Sequence, residues 1–229
     1  MKRVFISGQK HFGAQVFNLC RLLGLEVAGV SAPPFGSDGK RADRLREAAE
    51  KAEVPWMPSG TLTQHTLPGN IDLIVCAHSH DFIGAATRYR ARLGAIGYHP
   101  SLLPLHRGRD AVRWAIKMGD RVTGGTIYWL SDNVDAGNVA GQQWCFIRPD
   151  DTPEELWRRD LAPIGLILFD KVLRDIMDGL IVSVRQNEAL ATWEPAFTPP
   201  PLHRPDLLMI GNGGLEGYRV ETSNSAARQ

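Results

Sequence analysis

The stretch RVFISGQKHFGAQVFNLCRLLGLEVAGVSA, residues 3–32, decides the fold class, because two short apolar runs flank a segment of helical periodicity. Residues Arg3 to Gly8 are typical of a buried strand, and Gly13 to Leu23 carry apolar residues at helical spacing. The run LEVAGVSA predicts a second strand. The chain therefore begins with the strand–helix–strand unit of an α/β protein with parallel strands.

The alternation of strands and helices continues along the chain. We predict a polar helix at residues 41–52, a strand at 71–77, a helix near 83–92 and a strand that ends at His99. The runs VTGGTIYWL and NVAGQQWCFI predict two later strands, and Thr152-Pro153 starts a long helix that ends near Gly179. The predicted fold is α/β, with a mostly parallel, twisted sheet and helices on both faces.

Composition predicts a globular protein with reduced cysteines. The chain has 229 residues, 43% of them hydrophobic, which is enough to bury a substantial core. Its 26 basic and 25 acidic residues provide no bulk charge that would favour a nucleic-acid partner. We recognise neither a signal peptide nor a membrane-spanning window, so we expect a cytoplasmic protein without a membrane partner. Cys20, Cys76 and Cys145 lie far apart in apolar segments, as is typical of buried free thiols.

Two regions of different composition are predicted. Residues 1–180 carry the strand and helix pattern and form the main domain, and residues 181–229 form a proline-rich C-terminal tail that is extended or partly disordered. The tail could close over a cleft as a lid, dock on the second subunit of a homodimer, or cross the surface of its own domain.

The loop GQKHFGAQ, residues 8–15, follows the first strand. Ligands of open parallel sheets bind beyond the carboxyl ends of the strands, so such loops are candidate sites. Its two glycines allow a phosphate-binding turn, but the sequence lacks both the Walker ending and the dinucleotide-binding glycine pattern. A tight strand-to-helix connection explains them better. Lys10 and His11 are candidates to border a substrate pocket.

The loop HSHDF, residues 78–82, follows the third predicted strand. Histidines two apart on an extended segment point the same way, so His78 and His80, with Asp81 nearby, could hold a metal ion. A metal-dependent hydrolase is therefore an alternative function. No further ligands stand at a convincing spacing, and we expect no metal and a polar loop that lines the cleft.

His99 and Asp135 are the candidate catalytic pair. Pro100 restricts His99 to an extended conformation at the strand end, where ligands gather. The loop SDNVDAG, residues 131–137, lacks the terminal glutamate of an EF-hand and instead delivers a carboxylate to the same end of the sheet. A carboxylate beside a histidine favours the imidazolium and fixes its orientation, which suits proton transfer during acyl transfer.

The motifs YHPSLLPLHRG and GGTIYWLSDNVDAG, in which Asp135 follows His99 by 36 positions, resemble the folate-dependent formyltransferase family. The resemblance extends to about Gly179 and is closest to the hydrolase domain of 10-formyltetrahydrofolate dehydrogenase and to methionyl-tRNA formyltransferase-like N-terminal domains. It implies a Rossmann-like fold, 10-formyltetrahydrofolate as formyl donor, His99 as acid/base or electrostatic stabiliser, and Asp135 as its partner. It also implies that the pterin contacts two loops, through Ser79, His80, Asp81, Phe82, Ile83, Ser131, Asp132, Asn133 and Val134.

One position departs from the family pattern. Gly97 stands where the formyltransferases carry an asparagine that donates a hydrogen bond to the oxyanion. The acceptor is therefore open: a small amine such as an amino sugar, or water in a hydrolase proper, with a catalytically silent folate-binding module as a further alternative. The roughly fifty residues after Gly179 are too few for a tRNA-binding barrel. The candidate substrate residues are Lys10, His11, Gly97 and Arg107, with His106 and Arg109 also near.

Overall fold

The computed structural model describes residues 1–197. Its seven-stranded sheet has the order β3-β2-β1-β4-β5-β6-β7. The strands are β1 Arg3–Gly8, β2 Glu26–Ala32, β3 Trp56–Pro58, β4 Leu73–Ala77, β5 Ala95–His99, β6 Val122–Trp129 and β7 Val139–Phe146. The α-helices are α1 Lys10–Leu22, α2 Arg44–Lys51, α3 Ala85–Arg88, α4 Ala111–Met118, α5 Pro153–Leu156 and α6 Ala162–Met177.

The sheet is mostly parallel, which confirms the predicted fold class. Strands β1 to β5 pair in parallel, whereas β6 and β7 are antiparallel to their neighbours. His99 at the end of β5 faces Thr126, and Ile96 faces Trp129. Because β6 runs back along β5, the loop after β6 starts beside the beginning of β5.

Apolar side chains cover both faces of the sheet. One cluster joins the sheet to α1, α2 and α6, and it includes Phe17, Leu45 and Phe169. A second cluster on Phe5 and Ile74 is closed by Leu62, Leu67, Ile83 and other side chains from the connections. Because both faces of the central strands are covered, nearly all of their side chains are apolar, and these strands therefore have continuous apolar sequences.

The helix and strand boundaries differ from the predictions at four places. β3 has only three residues, too few for a periodic signal, and was not predicted. The predicted helix near 83–92 is reduced to α3. Helix α2 begins later than predicted because the Asp43 side chain accepts from Leu45 N and caps it. The Thr152 capping box is present, but a π-helical turn, Trp157–Leu161, divides the long helix that follows.

Residues 181–197, here called the strap, pack along the main domain. Val184 pairs with Val139 next to the sheet edge, and Trp129 Nε1 donates to Val182 O at 2.8 Å. The far end of the strap reaches α4, where the Phe197 ring lies 4.8 Å from Trp114. The prediction of a proline-rich tail concerns residues that lie mainly outside those described. Within residues 1–197, no helix is both long and apolar enough to cross a membrane.

Candidate active site

A cavity of about 640 Å³ lies over the sheet at β4, β5 and β6. Its floor is one row of neighbouring strand residues, since Cys76 pairs with Gly97 and Gly97 pairs with Tyr128. Its walls come from residues 78–83, 108–113, 130–135 and 153–158. This volume is in the range of small-molecule sites.

His99 is buried at the end of β5 and lines the cavity. Its Nε2 lies 2.7 Å from the backbone oxygen of His106. A carbonyl oxygen can only accept, so Nε2 carries the hydrogen and donates it. Its Nδ1 lies 3.4 Å from Oδ2 of Asp135. Both ring nitrogens therefore face oxygen acceptors, which fixes the orientation of the ring.

Asp135 is held from several sides. Its Oδ1 accepts from the Tyr128 hydroxyl at 2.5 Å, and its Oδ2 accepts from Gly108 N at 2.7 Å. Its backbone adopts a left-handed conformation, φ 53°, and its carbonyl oxygen accepts from Gln186 Nε2 of the strap at 2.8 Å. Aspartate tolerates this conformation better than most residues. The carboxylate is therefore fixed at the cavity by both side-chain and backbone contacts.

The loop that carries Asp135 reaches His99 by a different path from the one predicted. We expected the loop after β6 to lie at the same end of the sheet as His99. Because β6 is antiparallel to β5, the loop begins at the opposite end, next to Ala95, where Leu130 N donates to Ala95 O. The loop then runs along the cavity as one of its walls, which brings the Asp135 carboxylate to His99.

Most residues of the two predicted folate loops line the cavity. Asp132 does not, because its carboxylate pairs with Arg88 at 2.6 Å. Asp81 is buried and shapes its loop, since its carboxylate accepts from Gly60 N and from the Ser31 hydroxyl. The residues that do line the cavity are Ser79, His80, Asp81, Phe82, Ile83, Ser131, Asn133 and Val134.

The predicted substrate residues divide into two groups. Lys10, Gly97 and Arg109 line the cavity, whereas His11 and Arg107 do not. The buried guanidinium of Arg107 donates to Gln186 and Glu188 of the strap, at 2.7–3.2 Å. His106 is also buried away from the cavity, between Asp120 and Glu194. These two side chains attach the strap, a role that loop composition did not indicate.

His78 is a cavity residue with an unusual charge environment. Its backbone has φ 59°, and its ring centroid lies 5.7 Å from that of Trp157. Burial, together with the positive charges of Lys10, His80 and Arg109, lowers the pKa of His78 to about 3. The imidazole is therefore neutral near pH 7. Within residues 1–197, no group of three or more His, Cys, Asp and Glu side chains is arranged to hold a metal ion.

The cysteines are free, as predicted, although Cys145 is only partly buried. Burial raises the pKa of the Cys76 thiol, on the cavity floor, to about 12. A thiol that stays protonated is a poor nucleophile. The Cys76 thiol is therefore not a candidate nucleophile.

Sequence reasoning missed several functional positions. Tyr128 and Gln186 contact Asp135, and Trp157 and Arg158 line the cavity next to the π-helical turn. Tyr128 belongs to a strand whose pairing partner is not evident from the sequence, and Gln186 acts from 51 residues away. Neither carries a local motif that could have identified it.

The sheet, the cavity and the paired His99 and Asp135 define an α/β protein with a candidate small-molecule site. Residues 1–168 match the family model described as formyl transferase. The chain is 36% identical over 202 residues to the cytosolic 10-formyltetrahydrofolate dehydrogenase of Mus musculus, an alignment covering 84% of this chain and 22% of that protein. It is also 36% identical over 200 residues to the methionyl-tRNA formyltransferase of Anaeromyxobacter sp. (strain K), covering 83% and 64% respectively. The chain belongs to the formyl transferase family.

Solved structures show the same fold. A phosphoribosylglycinamide formyltransferase from Bacillus halodurans has a TM-score of 0.64 at 23% identity and covers 77% of this chain and 95% of its own. An N-formyltransferase from Helicobacter canadensis, in complex with folinic acid and dTDP-3-aminofucose, has a TM-score of 0.70 at 17% identity, covering 85% and 71%. The chain spans about a fifth of the length of the dehydrogenases it matches.

Proposed function

We propose that this domain moves the formyl group of 10-formyltetrahydrofolate to a small amine or to water. The observation that carries the proposal is the 3.4 Å approach of His99 Nδ1 to Asp135 Oδ2 inside a cavity lined by both predicted folate loops. Family membership supports the same donor.

The pair suits attack on a formyl carbonyl. The amine or water forms a bond to the formyl carbon, and negative charge develops on the carbonyl oxygen. A protonated His99 stabilises that charge, and its imidazolium is itself stabilised by Asp135 and by the His106 carbonyl. Asp135 is placed to accept the proton that the nucleophile loses. The bond between N10 and the formyl carbon then breaks, and the same proton is returned from the His99–Asp135 pair to N10.

The cavity fits the ring system of a folate. Its walls combine apolar side chains, among them Phe82, Ile83 and Val134, with the polar backbone of two loops. Flat heteroaromatic ligands are held in this way, with apolar contacts to the faces and a few hydrogen bonds at the edge. Bound there, the donor supplies the formyl group, and the chain supplies orientation, charge and proton transfer.

The acceptor is a small molecule in this proposal. Lys10 and Arg109 line the same cavity and could contact an anionic group on an acceptor. Gly97, which leaves no side-chain amide at the floor, favours water as a second candidate acceptor and therefore a 10-formyltetrahydrofolate hydrolase. A cytoplasmic location without a nucleic-acid or membrane partner, and a homodimeric state, belong to the same proposal.

The decisive experiment incubates the protein with 10-formyltetrahydrofolate, with and without a panel of amines including amino sugars, and identifies products by mass spectrometry. A formylated amine supports transfer, and free formate without an amine product supports hydrolysis. His99→Ala is the matched negative control. Binding of the folate by calorimetry without consumption would overturn the proposal in favour of a silent module. Stoichiometric metal in an active preparation would favour the metal hydrolase.

A further inference from the structure

Gly97 and Tyr128 face each other across β5 and β6 on the cavity floor. A Cβ atom built on Gly97 would lie 3.3 Å from Cε1 of the Tyr128 ring and 3.0 Å from Cδ1 of Leu130. Contacts of this length are tighter than most packed side chains make, so the Tyr128 ring or the Leu130 side chain would have to shift by a few tenths of an ångström. The absence of a side chain at Gly97 therefore leaves the space that the Tyr128 ring occupies.

The Tyr128 hydroxyl uses that position to bind the carboxylate of Asp135. The O–H donates to Oδ1 at 2.5 Å, while Oδ2 accepts from Gly108 N and faces His99. Burial and the adjacent Asp135 carboxylate raise the pKa of Tyr128 well above its usual value, so the hydroxyl stays a donor. Oδ1 of Asp135 therefore binds Tyr128, whereas Oδ2 faces His99.

We infer that Gly97 and Tyr128 act as one unit, in which the glycine makes room for the ring and the hydroxyl holds Asp135 toward His99. This inference rests on the proposed function and deepens it. Tyr128 is a positioning residue that acts through Asp135. On this view, the glycine that replaces the expected asparagine at position 97 leaves space for the Tyr128 ring. The Tyr128 hydroxyl can then order the Asp135 carboxylate.

The first test replaces Tyr128 by phenylalanine, which keeps the ring and removes the hydroxyl. In Tyr128→Phe we expect kcat to fall about tenfold or more with an unchanged KM for 10-formyltetrahydrofolate, because misplacement affects the reacting groups and spares donor binding. Tyr89→Phe is the control, since it removes the hydroxyl of an exposed tyrosine outside the cavity lining. This variant should keep kcat within about twofold.

The second test adds a methyl group at Gly97 in two backgrounds. In the wild type, Gly97→Ala should lower kcat severalfold by displacing the Tyr128 ring. In Tyr128→Phe the same change should have little further effect, because no hydroxyl remains to be displaced. An equal factor in both backgrounds, or full activity in Tyr128→Phe, overturns the inference.

A third measurement separates this inference from the proposed function. NMR of the His99 imidazole nitrogens needs no turnover, and we expect their chemical shifts to change in Tyr128→Phe but not in Tyr89→Phe. If the wild-type protein consumes no formyl donor, the proposed function is wrong. The NMR measurement still tests the inference in that case. Unchanged His99 shifts in Tyr128→Phe contradict the inference alone.

Discussion

Two buried histidines of this protein, seven residues apart, have similar burial and different roles. His99 is 6% exposed and His106 is 5% exposed, and each lies beside carboxylates. His99 lines the cavity with Asp135, whereas the ring of His106 lies between Asp120 and Glu194 of the strap, outside the cavity lining. Burial and a carboxylate partner therefore do not distinguish the candidate catalytic histidine from the other one. Access to the cavity does.

The two regions are also connected through the backbone. The carbonyl oxygen of His106 accepts from His99, and its amide donates to the Thr192 hydroxyl of the strap at 2.7 Å. The backbone of His106 therefore helps to orient the His99 ring, although the His106 side chain lies outside the cavity lining.

The largest expected effect comes from breaking the catalytic pair. We expect His99→Ala and Asp135→Asn each to lower turnover by about 10²–10⁴-fold, the usual contribution of a positioned acid or base. Asparagine suits the left-handed backbone at Asp135, so the fold should persist. Formyl-donor consumption measures the loss, and circular dichroism checks the fold. Wild-type-like rates in both variants would remove the proposed site.

The corresponding change at His106 should affect stability instead. His106→Asn keeps a residue that tolerates φ 54° and removes the ring between Asp120 and Glu194. The change removes the 2.8 Å hydrogen bond between His106 Nε2 and Asp120 Oδ2 at a buried position, so the free energy of unfolding should fall by about 1–3 kcal/mol. Urea denaturation measures this change. A variant with normal stability and abolished turnover would place His106 in the active site.

Gln186 connects Arg107 to the loop that carries Asp135, so its replacement should affect both turnover and stability. Its Nε2 donates to the carbonyl oxygens of Asp135 and Gly137, and its Oε1 accepts from Arg107. We expect Gln186→Leu to lower kcat about tenfold and to reduce stability, because the Asp135 backbone loses its support. Gln64→Leu, at an exposed glutamine outside the cavity and the strap, is the control. Equal kinetics of the two variants would show that the strap does not order the site.

The smallest expected effect concerns His78, whose charged neighbours are cations. With a folded-state pKa of about 3 against an ordinary 6.5, the unfolded chain binds more protons between these values. This contribution to stability is present above pH 6.5 and is lost as the pH falls toward 3. Between pH 7.5 and 5, the Tm of His78→Asn should therefore fall less than that of the wild type. The exposed His65→Asn is the control, and an identical fall in all three proteins would contradict the assignment.

The sequence determined the fold class and supplied the two candidate catalytic residues. Apolar runs such as Ile71 to Ala77 identify buried strands because a strand covered on both faces needs apolar side chains throughout. Pro100 and the strand before it place His99 at a strand end by local sterics alone. The motifs around His99 and Asp135 identify the family because they are short, specific and each confined to one segment.

Only the tertiary structure decided how those residues are supported. Tyr128 contacts Asp135 because β6 is antiparallel to β5, and strand pairing depends on residues distant in the sequence. Arg107 was expected to contact the substrate. Its guanidinium instead donates to Gln186 and Glu188 of the strap, which lie about eighty residues later in the sequence. Local sequence encodes which elements form and which chemistry they carry. Long-range packing decides which side chains face the cavity, because that depends on every element that folds against them.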